Sequence, residues 1–127
     1  MKLTTTLTAL FATTTLAMTD QEMCQKKNPH AVQAIQQFCA KTDIVAPSSY
    51  ATAGAHVGTG GAHDTRLSIE AVCSPAQWVP QKYCLSQYFN MCATGDDVGD
   101  ANDRFYGAGN YHCQTWHFSV GGPYGGL

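Results

Sequence analysis

The sequence predicts an α+β domain in which helices pack on an antiparallel sheet of three or four strands, and three disulfide bonds hold the layers together. Three observations predict it. They are two segments with helical spacing of apolar residues, two segments that alternate apolar and polar residues, and six cysteines in a chain of 127 residues. Side chains repeat about every 3.6 residues along a helix and every two along a strand, so the two spacings separate the elements.

The first 17 residues have the pattern of a secretory signal peptide. Lys2 supplies a positive start, residues 3–16 are apolar and rich in threonine, and Thr15 and Ala17 are small residues where a signal peptidase cleaves. A membrane span needs roughly 20 mostly apolar residues, and this stretch is shorter and more polar. We therefore expect a signal peptide over residues 1–17 and one secreted domain over 18–127, extracellular and without a membrane anchor.

The six cysteines all lie in the predicted mature domain, at Cys24, Cys39, Cys73, Cys84, Cys92 and Cys113. Six thiols in a short exported chain predict three disulfides, each contributing roughly 2–4 kcal/mol. Their spacing matches no zinc module, and the pairing remains open among the possible combinations.

One disulfide pairing is excluded by helix geometry. Cys84 and Cys92 lie eight residues apart on a predicted helix. That spacing corresponds to about 12 Å, whereas bridged Cα atoms lie about 4.4–6.8 Å apart. Both cysteines must therefore bridge to other elements. We expect Cys39 as the partner of Cys84, and Cys73 or Cys113 as the partner of Cys92.

The charge pattern argues against nucleic acid as a partner. The formal net charge is -2, and the only basic cluster is Lys26-Lys27. Binding to nucleic acid or to an anionic membrane depends on a field of clustered basic residues, which this chain lacks.

A first helix is predicted over residues 28–39, NPHAVQAIQQFC. Asn28 is a favourable N-cap and Pro29 suits the first helical position. The apolar residues that share one face at helical spacing are Ala31, Ile35, Phe38 and Cys39. We expect the helix to end near Thr42-Asp43.

The region that follows has the pattern of a β-hairpin. We expect an edge strand over residues 50–57, a glycine-rich turn over 58–61 and a second strand in TRLSIEAV, residues 65–72. In the second strand the alternation places Leu67, Ile69 and Ala71 towards the core and Arg66, Ser68 and Glu70 towards solvent.

A second helix is predicted over residues 80–93. Pro80 suits a first turn, and Gly95 is typical of a helix end. Its apolar stripe comprises Tyr83, Cys84, Tyr88, Met91 and Cys92, widened by Leu85 and Phe89.

The remaining residues predict a loop and a last strand. Residues 96–110 form an acidic, glycine-rich loop, and the final strand in YHCQTWHFSV places Trp116, Phe118 and Val120 on one face.

A strand ending in Cys73, a turn, a helix containing QYFNMC, a loop and a strand containing HCQ succeed one another over residues 65–120. This succession resembles the alpha subunit of the smut-fungus killer toxin called killer protein six, and the killer-like secreted effectors of plant-pathogenic fungi. Cys73, Tyr88-Phe89, Cys92 and Cys113 match the family's cysteines and aromatic pair. The resemblance implies an alpha–beta sandwich with two helices across one face of the sheet.

Catalytic candidates are Arg66, Glu70 and His117, which could lie on neighbouring strands. Small secreted ribonucleases use such side chains on a sheet, and acid–base catalysis needs a carboxylate and an imidazole on opposite sides of the reacting atoms. A cross-strand ion pair explains the same residues. The chain contains no nucleophile elbow, zinc-protease motif or phosphate loop before a helix. We therefore predict no catalytic residue and no enzyme.

Metal sites are not predicted either. The histidines and the aspartates of the 96–110 loop lack the spacing of known metal-binding motifs. We expect surface histidines, a solvated loop, and neither a metal nor another cofactor.

Aromatic residues expected in turns or loops are the candidates for a binding surface: Trp78, Tyr106 and Tyr111. Packing beneath those loops is the alternative explanation. Together these features predict a secreted, monomeric, non-enzymatic effector that binds a host protein or glycan and contributes to virulence. A killer-toxin-like antimicrobial protein acting on competing cells is one alternative, which growth inhibition would distinguish. A ribonuclease-like hydrolase is a second.

Overall fold

The structure, a computed structural model, describes residues 17–107 and 112–121. The predicted signal peptide, apart from Ala17, and the predicted binding residue Tyr111 lie outside these ranges. The described elements, in chain order, are α1 (Asp20–Lys27), α2 (Pro29–Cys39), β1 (Ile44–Ala46), α3 (Ser49–Ala53), β2 (Ala55–Val57), β3 (Thr65–Ala71), β4 (Gln77–Val79), α4 (Gln81–Thr94), β5 (Arg104–Tyr106) and β6 (Gln114–Val120).

The main sheet has four antiparallel strands in the order β2-β3-β6-β5. Its two long central strands are the two that the alternation predicts. Their inward side chains are buried, among them Leu67, Ile69, Trp116 and Phe118. The predicted fold class is confirmed: the molecule is α+β, with an antiparallel sheet, helices and three disulfides.

The two predicted helices supply the apolar layer on the inner face of the sheet. Asn28 caps α2 by accepting from the Ala31 amide, and the predicted apolar face is buried. From α4, the ring of Tyr88 packs 4.8 Å from Trp116 and 5.9 Å from Phe38, so it joins both helices to the sheet. Its hydroxyl donates to the carbonyl oxygen of Ser68. Burial, with a smaller effect of Asp103, raises the pKa of this phenol well above its ordinary value, so it stays neutral.

Helix α1 is not predicted by the sequence pattern. Its first turn is closed by a capping box between Thr19 and Glu22, and Cys24 is its one buried residue. A helix with so little apolar surface has no periodic stripe to detect. Its position depends on packing against α4.

Several predicted boundaries are wrong. The expected edge strand over residues 50–57 is helix α3 followed by the short strand β2. Ser48 caps that helix by accepting from the Ala51 amide, and Gly54, at a φ of 67°, reverses the chain after it. Helix α2 ends at Cys39 rather than near Thr42-Asp43.

Two short strands lie where turns or loops are expected. Trp78 belongs to β4, which pairs with β1 in a separate two-stranded sheet. Tyr106 belongs to β5, which pairs with the edge of β6 inside the predicted acidic loop. Strands of three residues are too short for alternation to reveal them.

The three disulfides use all six cysteines. Cys39 bonds to Cys84 as predicted. The prediction for Cys92 is wrong, because it bonds to Cys24 of the unpredicted α1. Cys73 and Cys113 bond to each other across the ends of β3 and β6, where these adjacent strands bring their Cα atoms to 5.0 Å. No helix in the described residues is long and apolar enough to cross a membrane.

Candidate functional site: an aromatic groove and a polar groove

The aromatic groove is a depression of about 260 Å³ between β4, the start of α4 and the β5–β6 edge. Its described lining residues include no charged side chain. The lining includes five rings and one side-chain amide, from Trp78, Pro80, Tyr83, Gln87, Tyr106 and Trp116. The structure thus brings together two residues of the predicted binding surface, Trp78 and Tyr106.

Trp78 forms one wall of the aromatic groove. Its side chain is 63% exposed, yet its indole Nε1 donates to the carbonyl oxygen of Thr42 at 3.2 Å. The pairing of β4 with β1 places Trp78 opposite Val45. Backbone pairing and the indole hydrogen bond therefore fix the ring while leaving it open to solvent.

The floor of the aromatic groove is formed by aromatic rings packed on the core. Trp116 is buried in the core, and the ring of Tyr106 meets it edge-on at 5.0 Å. The Tyr106 hydroxyl donates to Gln87 Oε1 at 2.6 Å, and Trp116 Nε1 donates to Gln114 Oε1 at 2.9 Å. The polar atoms of both rings are thus bonded within the protein.

Tyr83 is a groove residue for which the prediction is wrong. It was expected in the buried stripe of the second helix but is 53% exposed. It lies in the first turn of α4, one residue before Cys84, whereas the buried side of the helix runs through Cys84, Tyr88 and Cys92. Cys84, Tyr88 and Cys92 follow one another at four-residue steps and so mark the buried side of the helix. Tyr83 lies off that side, and the spacing could have predicted its exposure.

The polar groove lies on the outer face of the main sheet and has a volume of about 640 Å³. Cross-strand pairs arrange its side chains in rows, with His56 and Ser119 on either side of Arg66, and Ser68 beside His117. Arg66 and Ser68 lie in this groove because alternate side chains of β3 face outwards, as the sequence pattern predicts.

His117 is held between two carboxylates. Its Nε2 lies 2.6 Å from Glu70 Oε1, and its Nδ1 lies 3.0 Å from Asp103 Oδ1. Partial burial of the ring alone would lower the pKa of His117, but the hydrogen bonds and charges of Glu70 and Asp103 outweigh this and raise it. A protonated ring donates to both carboxylates, which ties β3, β6 and the residue before β5 together.

Two further carboxylates at or beside the polar groove are also bonded within the protein, whereas Arg66 is not. His56 Nε2 lies 2.5 Å from Oδ1 of the buried Asp64. Asp100 Oδ1 accepts from the Val120 amide at 2.7 Å. Arg66 is exposed, and within the described residues it makes no ion pair.

The three catalytic candidates share the outer sheet face. Glu70 contacts His117 directly, and Arg66 lies on the same strand as Glu70. Both nitrogens of His117 are engaged by carboxylates, so neither is free in this arrangement to take a proton from a substrate. The geometry is that of a cross-strand ion-pair cluster. No group of three metal-binding side chains is placed to hold an ion in the described residues.

No protein-family model, curated protein or solved structure matches this chain.

Proposed function

We propose that this protein is a secreted, effector-like protein that acts by binding a host molecule, without catalysis, through the aromatic groove. One observation carries the proposal. Trp78 and Tyr106 converge in an uncharged groove with their polar atoms already bonded to the protein. What remains for a partner is mainly the exposed ring surface, together with the amide nitrogen of Gln87 and the hydroxyl of Tyr83.

The exposed rings favour binding as their role. A tryptophan that is largely exposed gains little from the hydrophobic effect in the free protein and gains more when a partner covers it. Aromatic side chains fixed before contact are typical anchors of interfaces, because little side-chain entropy is lost when the partner binds.

The disulfides support an extracellular role. All six cysteines are paired, which is typical of small proteins that fold in an oxidising compartment. The signal-like N-terminus and the resemblance to killer-like effectors point the same way. A domain fixed by three bridges suits a protein that must keep a binding surface intact outside the cell.

The test is retention of oxidised protein on plant extracellular-fluid and cell-wall fractions. We expect Trp78→Ala to weaken retention at least about 30-fold, the loss typical of an interface anchor. The matched control is Phe105→Ala, which removes an aromatic ring of similar exposure that does not line the groove. Equal retention of Trp78→Ala and wild-type protein would refute the proposal.

A hydrolase acting through the polar groove is the second candidate. The observation in its favour is the contact between Glu70 and His117 on the open sheet face that also carries Arg66. An RNA-cleavage assay on wild-type protein, Glu70→Ala and His117→Ala tests it. If the wild-type protein cleaves RNA and both variants do not, the hydrolase function is established. If the wild-type protein does not cleave RNA, the hydrolase function is refuted.

A further inference from the structure

We propose that the ligand of the aromatic groove is a neutral chain of pyranose sugars. This inference rests on the proposed function and names the class of ligand that the same groove would take. Its basis is the combination of open ring faces, amide side chains and missing charge around Trp78, Tyr83 and Gln87.

The size of the groove fits one ring of a longer polymer. Drug-sized ligands occupy pockets of about 300–1,000 Å³, and this groove, at about 260 Å³, lies just below that range. A single sugar ring in the groove, with its neighbours extending along the surface, matches a small and open depression.

The charge of the lining selects against ionic ligands. None of the described lining residues is charged, so an ionic group buried here would lose its hydration without meeting an opposite charge in the lining. Lys82 lies near the groove, with its ammonium group 5.5 Å from the centre of the Tyr83 ring. Because the Lys82 ammonium group could pair with a carboxylate, an acidic polymer is the ionic ligand to test.

The flat walls suit a sugar ring. Trp78 and Tyr83 are more than half exposed, and Pro80 lies between them in sequence. A pyranose ring with equatorial hydroxyls has apolar C–H faces above and below and a polar rim. Its faces can cover the aromatic rings while its rim reaches the polar edge of the groove.

The hydrogen-bonding groups distinguish a sugar from a proline-rich peptide. Both can pack on aromatic grooves, but a proline-rich backbone offers mainly carbonyl acceptors and so requires donors. The ring donors of Trp78, Tyr106 and Trp116 are already used within the protein, whereas the Tyr83 hydroxyl makes no hydrogen bond to a described residue. The amide nitrogen of Gln87 makes no hydrogen bond to a described residue, whereas its oxygen accepts from Tyr106. Either ligand could accept from the Gln87 amide, but a backbone of prolines has no N–H to donate to the Tyr83 oxygen. Sugar hydroxyls both donate and accept, so they match the free Tyr83 hydroxyl better.

The direct test uses the two tryptophans as reporters. Trp116 is buried and Trp78 exposed, so acrylamide quenching of fluorescence reports mainly on Trp78. Cellohexaose, chitohexaose, hexagalacturonic acid and a ten-residue proline-rich peptide are titrated separately. We expect at least one neutral hexaose to reduce quenching, with affinity at least tenfold lower in Tyr83→Ala and unchanged in Phe105→Ala. Protection by the acid or the peptide alone would overturn the inference.

A second measurement separates failure of the ligand class from failure of the proposed function. Plant cell-wall fractions are digested with protease or with mixed glycoside hydrolases before the retention assay. Retention that requires Trp78, survives protease and is lost after glycoside hydrolases supports the inference. Retention that requires Trp78 but is lost after protease overturns the sugar ligand and leaves the binding function standing. Retention independent of Trp78 overturns both.

Discussion

The aromatic groove and the polar groove differ in what their side chains already contact. The two imidazoles that line the polar groove lie against the carboxylates of Asp64, Glu70 and Asp103, so these acid–base groups satisfy one another. In the aromatic groove the ring donors of Trp78, Tyr106 and Trp116 are satisfied too, but the rings of Trp78 and Tyr83 stay more than half exposed. Water solvates charged side chains well and apolar faces poorly, so the aromatic groove gains more from a partner. Titratable residues alone are thus a poor guide to where this protein binds.

The largest expected effect concerns the floor of the aromatic groove. Trp116→Ala should lower the free energy of unfolding by about 3–5 kcal/mol, because it removes a buried ring that packs on Tyr88 and Tyr106. Urea unfolding with the disulfides intact measures this. Phe105→Ala, on an exposed side of β5, should lower the free energy of unfolding far less. A similar loss of stability in both variants would contradict the view that the groove floor is part of the core.

The next effect tests the two grooves against each other in one binding assay. Trp78→Ala should weaken retention on plant extracellular fractions at least about 30-fold, whereas His56→Ala should change it less than threefold or so. Thermal unfolding of both variants provides the control for folding. If His56→Ala lost retention and Trp78→Ala did not, the polar groove rather than the aromatic groove would be the binding surface.

A smaller effect follows from the raised pKa of His117. A group whose pKa is raised in the folded state stabilises the fold fully below its unfolded value, near 6.5, and loses this contribution as pH rises through the folded value. The midpoint of thermal unfolding of wild-type protein should therefore exceed that of His117→Gln more at about pH 6 than at about pH 9. A difference that grows towards alkaline pH would contradict the ion-pair cluster with Glu70 and Asp103.

The smallest effect is expected at Arg66. Its side chain is exposed and makes no ion pair with a described residue, so Arg66→Ala should change the free energy of unfolding by less than about 0.5 kcal/mol. Urea unfolding checks this as well. A loss of more than about 1 kcal/mol would mean that the polar groove contributes more to the fold than its contacts indicate.

Long elements with a regular pattern could be predicted from the sequence, and short ones could not. Helices α2 and α4 and strands β3 and β6 have apolar periods that local spacing reveals, and the Cys39–Cys84 bond follows from two of them. Helix α1 has almost no apolar face, so its position and the Cys24–Cys92 bond depend on tertiary packing alone.

Two residues of the candidate site could be predicted from the sequence, but their position in one groove could not. Trp78 and Tyr106 stand out in the sequence as aromatic residues outside the main apolar periods. Their convergence depends on β4 and β5, strands of three residues: β4 pairs with the distant β1, and β5 pairs with β6, the next strand along the chain. Tyr83 was missed because a helix with aromatic residues on several sides gives an ambiguous stripe.

The most direct test of the aromatic groove as the binding surface is an NMR titration of the protein with the neutral hexaoses. The indole N–H signal of Trp78 and the ring signals of Tyr83 report on that groove, and the imidazole signals of His56 and His117 report on the polar groove. We expect saturable shifts at Trp78 and Tyr83 with the imidazole signals unmoved. Saturable shifts at the imidazoles, with Trp78 unchanged, would contradict the account.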